Sequence, residues 1–175
     1  MPLPNIENNQ RLPRIIIAHY DDLGFTPGQN IVVKIIPQNA SPVIAFNEII
    51  QKERVDIYLF IPPKWTVEWA AIEKAIKILT ENQHINYVYF DYNGQYLPSL
   101  LLPGQHSIRQ IPLFIKNIPA LFNPGLQYLY MHDMFTKLYQ TSLGIHVAES
   151  LTKTTQELTQ QQIQRDLNII HESGN

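Results

Sequence analysis

Carboxylates at the ends of apolar runs are the residues of this chain best placed for chemistry. Asp21 and Asp22 close the run Ile15-Ile16-Ile17-Ala18, and Asp91 closes Tyr87-Val88-Tyr89-Phe90. In open α/β sheets, ligands bind beyond the carboxyl ends of such strands. Each acid also suits a plain turn, because Asp21-Asp22 precede a loop with Gly24, Pro27 and Gly28, and Asp91 precedes Asn93-Gly94. Asp133, beside His132, stands near the start of a predicted helix, where the dipole favours negative charge. Lys64 follows Pro62-Pro63 at a strand–helix junction and offers an anion a point charge. Trp65 and Trp69 have faces that stack on a sugar, yet helical spacing beside an apolar face reads as core. His19, His84, His106, His146 and His171 show no i, i+4 ligand pair.

These side chains need a scaffold, and hydrophobic periodicity outlines one. Strands are expected at residues 14–18, 31–36, 56–61 and 87–92. Residues 108–120 have strand character broken by Pro112, and residues 145–148 form a short last strand. Helices are expected at 42–54, with Ser41 as N-cap and Pro42 in the first position, and from Thr66 to about residue 82. Two more run over 129–143, ending at Gly144, and from Ser150 to about residue 171. Strands alternating with helices predict a three-layer α/β sandwich with a mostly parallel central sheet. Residues 1–13 read as an extended arm, 14–149 as the α/β domain, and 150–175 as an amphipathic helix packing on the domain or on a partner.

The 175 residues suit one domain, and the absence of cysteine removes disulfides, thiol catalysis and thiolate zinc sites. Thirteen Lys and Arg against fifteen Asp and Glu give a formal charge of -2, no electrostatic basis for binding nucleic acid or anionic membrane. No apolar run approaches the roughly 18 residues of a membrane span. The first residues lack the basic and apolar regions of a signal peptide, so a cytoplasmic chain without a membrane span is expected.

The stretch Asn39-Ala40-Ser41-Pro42-Val43-Ile44-Ala45-Phe46-Asn47 resembles the inverting family 2 glycosyltransferases of the GT-A fold. Asn39, Ala45 and Asn47 match that family's spacing, and Ser41 stands where Gly is usual. Residues 15–22 look like the family's second strand with its Asp pair. Met131-His132-Asp133-Met134-Phe135, with Lys137-Leu138-Tyr139 and Gly144, is similar to the late helix carrying the acidic base, and Phe122-Asn123-Pro124-Gly125 to the lead into it. The resemblance spans residues 14–151. It implies a GT-A-like, Rossmann-like domain that is incomplete at the N-terminus, since thirteen residues before Arg14 are too few for the family's opening strand, turn and helix. It also implies a contact to the nucleotide at Asp21 and Asp22, with Asp133 deprotonating an acceptor hydroxyl. Asp91, at the end of another buried strand, and Lys64, an ammonium for the pyrophosphate, complete the candidate nucleotide-sugar contacts.

One departure governs the expected chemistry: the family's Asp-x-Asp positions fall on Pro62-Pro63-Lys64. Pyrophosphate departing from a nucleotide sugar needs a cation, commonly Mg²⁺ or Mn²⁺ held by carboxylates. Proline has neither a side-chain oxygen nor an N–H. No metal and no cofactor are therefore expected. Three functions fit: a degenerate transferase-like domain acting as a regulatory or scaffolding partner, with another protein or as a homodimer; an atypical metal-independent transferase whose Lys64 ammonium meets a nucleotide-sugar's pyrophosphate; or an unrelated α/β binding module.

Overall fold

The computed structural model describes residues 11–21, 23, 27–94 and 108–173, so Asp22, His106 and residues 1–10 of the expected arm lie outside the described residues. Its elements are β1 (Ile15–His19), β2 (Ile31–Ile35), α1 (Pro42–Lys52), β3 (Ile57–Phe60), β4 (Trp65–Val67), α2 (Trp69–Glu81), β5 (Ile85–Gly94), β6 (Leu113–Ile115), α3 (Tyr130–Thr141), β7 (Leu143–Thr154) and α4 (Gln160–Ser173).

The strands form one sheet in the order β2-β1-β3-β6-β5-β7-β4. β1 pairs in parallel with β2 and β3, and β5 with β7, whereas the pairs β3–β6, β6–β5 and β7–β4 are antiparallel. The expected mostly parallel, three-layer, GT-A-like sandwich is thereby corrected: the sheet is mixed and curls into a half-barrel. The reasons are local. Only residues 61–64 separate β3 from β4, far fewer than a parallel crossover needs, so the chain reverses. Register shifts on both sides of Asp91 break the β5–β7 ladder, and irregularities of this kind bend a strand.

All residues of β1 and β3 are buried, as their unbroken apolar runs predict. Behind them the rings of Phe46, Phe60, Phe122 and Tyr130 pack with centroids 4.9 to 6.2 Å apart. Asn47 fastens α1 to this cluster, its amide donating to Phe122 O at 2.9 Å while its Oδ1 accepts from Phe122 N at 2.8 Å. Ser41 does cap α1 by backbone position, with Pro42 first in the helix, but its hydroxyl makes no capping bond.

Several boundaries differ from the sequence pattern. Residues 65–67 alternate buried, exposed, buried and pair with β7, so α2 begins at Trp69 instead of following a Thr66 cap. Trp65 is fully buried, as expected, whereas Trp69 is 37% exposed. Asn93-Gly94 belongs to β5; Gly94 has φ +141°, and a Cβ there would lie 1.9 Å from Thr154 O. Gly144 lies inside β7, where a Cβ would strike the Tyr87 ring at 2.2 Å, so this glycine admits a ring instead of ending a helix. β7 continues to Thr154, and the helix expected from Ser150 begins at Gln160.

Candidate functional site

β1, β3, β5 and β7 point the same way, so their C-terminal ends share one edge of the sheet. His19 ends β1 and is buried, with Nε2 2.9 Å from Trp65 O and Nδ1 2.7 Å from Asp21 O. This ring ties the end of β1 to β4. Asp21 is exposed, and its Oδ1 accepts from Gln38 Nε2 at 2.9 Å; the same nitrogen donates to Tyr20 O at 3.0 Å. Tyr20 donates to Ala40 O at 3.1 Å, and burial raises its hydroxyl pKa well above the ordinary range.

Pro62-Pro63-Lys64-Trp65 forms a tight turn closed by Trp65 N–H donating to Pro62 O at 3.3 Å. Lys64 has φ +65°, among the described residues the one non-glycine in the left-handed region. A turn with proline second and a positive φ third has type II character, a place that ordinarily takes glycine. The Lys64 side chain is exposed and makes no ion pair among the described residues.

The other candidates sit on the β5–β7 side of the sheet. Asp91 Oδ1 lies 2.5 Å from His146 Nε2, and the His146 ring stacks on Tyr89 with centroids 4.9 Å apart and an 8° interplanar angle. The Arg109 guanidinium lies 5.1 Å from the Tyr89 centroid, a cation–π contact. Arg109 N–H donates to His132 Nδ1 at 3.1 Å, which asks for the neutral ring. His132 is held below its ordinary pKa of 6.5 by burial, against the opposing pull of Asp133, with Arg109 adding to the depression. Asp133 is buried in the first turn of α3, its Oδ2 2.8 Å from Lys137 Nζ one turn on.

The start of α3 is held by two side chains that the sequence pattern does not single out. Gln110 is fully buried, and its Oε1 accepts from Met131 N at 2.9 Å and His132 N at 3.4 Å. Asp166, on α4 and fully buried, accepts at Oδ2 from three consecutive backbone N–H groups: Gln127 at 2.9 Å, Tyr128 at 2.6 Å and Leu129 at 2.8 Å. Arg165 pairs with its other oxygen. Three aligned amides on one oxygen form an anion nest, filled here from within the chain. No local signal marks it, because Asp166 reads as one more polar residue on an amphipathic helix.

Among the described residues, no hydrogen bond or ion pair joins Asp21, Lys64, Asp91 and Asp133 to one another. Four surface grooves of about 360, 370, 740 and 330 Å³ are lined by other residues. No protein-family model and no curated protein matches this sequence. No three His, Asp or Glu side chains among the described residues converge as metal ligands. No described helix is long and apolar enough to cross a membrane. The described carboxylates singled out by sequence each meet a different side chain: Asp21 meets Gln38, Asp91 meets His146 and Asp133 meets Lys137.

Proposed function

We propose that this chain is a glycosyltransferase-like domain that has lost metal-dependent sugar transfer and acts as a regulatory or scaffolding partner. The observation carrying this reading is that each described candidate carboxylate lies against another side chain of this chain: Asp21 against Gln38, Asp91 against His146 and Asp133 against Lys137. A general base must reach an acceptor hydroxyl, and Asp133 instead lies buried, its Oδ2 2.8 Å from the Lys137 ammonium without accepting a hydrogen bond. At the position where acidic ligands would clamp a divalent cation, two prolines shape a tight turn. Calorimetric titration with UDP- and GDP-sugars, with and without manganese, tests this. No heat of binding is expected, and saturable binding strengthened by manganese would overturn the reading.

A second reading draws on Lys64. A left-handed backbone at a lysine costs free energy that glycine would spare, and such strain recurs at functional positions. Under this reading its ammonium, exposed at the strand edge, neutralises the pyrophosphate of a nucleotide sugar without metal. Binding that persists in chelator and falls in Lys64→Ala would favour it over the first reading.

A further inference from the structure

The sheet begins on β2, and among the described residues no strand pairs with its outer side. The ladder with β1 shows which groups this leaves. Ile15 N–H donates to Asn30 O, and Ile36 N–H donates to His19 O, so the even-numbered residues between them turn their main-chain groups toward β1. Alternation along a strand then aims the N–H and C=O of Val33 and Ile35, and the C=O of Ile31, away from the sheet. Ile31 N–H is already taken by Gly28 O at 3.1 Å.

An open edge is a template for another strand, and sheets commonly guard it with charges, proline or a bulge. Ile31-Val32-Val33-Lys34-Ile35 carries a single charge, and Glu53 holds it at 3.1 Å. Val32 is 47% exposed and Ile35 61%. Alongside runs the groove of about 360 Å³ between residues 34–37 and α1, lined by Ile35 and by Ile44, itself 61% exposed. Lys34 with Glu53, and Lys52 with Glu48 at 3.6 Å, leave the rim of that groove neutral.

We propose that β2 is a self-association edge, two copies pairing their β2 strands antiparallel about a two-fold axis through Val33. In this register the two Val33 residues exchange both main-chain hydrogen bonds, and each Ile35 N–H reaches Ile31 O of the other copy. Val32 faces Lys34 of the other copy, whose aliphatic stem covers the valine while its ammonium stays in water. Centring the axis on Lys34 would set two ammonium groups directly opposite, which is unfavourable. The strand is thus its own complement at one register. A closed two-fold contact consumes both open β2 edges, and the neutral rims meet without net repulsion. The inference rests on β2 alone and is independent of any sugar chemistry.

Sedimentation of the full chain over a dilution series tests it. A monomer–dimer equilibrium is expected, weakened about tenfold or more by Ile35→Lys, which charges an edge already exposed and so leaves the monomer's circular dichroism unchanged. Because the chain has no cysteine, Val33→Cys reads the register: paired Cα atoms would lie about 5.5 Å apart, within disulfide reach. Oxidation should cross-link Val33→Cys and not Ile35→Cys. A wild-type monomer at every concentration, a dimer indifferent to Ile35→Lys, or cross-linking through Ile35→Cys instead would each overturn the proposal. None of these outcomes bears on nucleotide-sugar binding, so the two readings fail separately.

Discussion

The turn at residues 62–65 and the loop at residues 127–129 each carry groups that attract negative charge, a lysine side chain at the first and backbone N–H groups at the second, and use them in opposite ways. At the turn, Lys64 stands exposed on a left-handed backbone. At the loop, three consecutive N–H groups, that of Leu129 buried, donate to the buried Asp166. The first is a cation presented to solvent at the edge where α/β sheets bind ligands. The second is an anion site turned inward, joining α4 to the start of α3. The three-amide anion site at residues 127–129 thus joins elements of the fold itself, while the exposed Lys64 is held at a cost in backbone strain. That division underlies the reading of a domain preserved for its architecture.

Removing the internal anion should have the largest effect. Asp166→Ala leaves three N–H groups, that of Leu129 buried, and the Arg165 guanidinium without their acceptor, and should cost about 3 kcal/mol in urea unfolding. Asp166→Asn keeps an accepting oxygen and should lose clearly less. Equal losses from the two variants, or a loss below about 1 kcal/mol for alanine, would remove the nest from the account. Asn47→Ala breaks the paired bonds to Phe122 and should cost about 2 kcal/mol by the same measurement, with no change in oligomeric state.

The exposed half of the comparison predicts the opposite sign. Lys64→Gly relieves the positive φ and should stabilise the chain by about 0.5–1 kcal/mol, after allowing for glycine's greater freedom when unfolded. A destabilised Lys64→Gly would mean that the side chain makes contacts worth more than the strain. The smallest effect concerns His132. Its folded pKa lies below 6.5 through burial, so as pH falls the unfolded chain takes up the proton first. This contribution to stability is complete above about pH 6.5 and is lost as pH falls from there toward the folded value. His132→Gln should flatten that part of the pH–stability curve, and an unchanged slope would place the titration elsewhere.

What could be read from sequence follows from how local each signal is. β1 and β3 were legible because both faces are buried, which leaves unbroken runs such as Ile15-Ile16-Ile17 and Ile57-Tyr58-Leu59-Phe60. β4 was hidden because three residues carry too little alternation to compete with the helical pattern that follows. Of β7 only residues 145–148 were legible; its continuation to Thr154 was hidden, since most of its residues face solvent and its polar stretch Glu149-Ser150 imitates a helix start. The sheet's mixed character has no local signature, as it depends on where β4 and β6 insert. Asp21, Asp91 and Asp133 were legible as acids at element ends, but their partners were not. Gln38, His146 and the Asp166 nest are joined to their partners across 17 to 55 residues. Only Lys137, one helical turn from Asp133, lay within local reach.

The most direct test of the central claim is a transfer assay with UDP- and GDP-sugars, measuring nucleotide release from the full chain with manganese, with magnesium and in chelator. Release should be indistinguishable from the protein-free control in all three conditions. Nucleotide release stimulated by manganese and abolished by Asp133→Asn would contradict it.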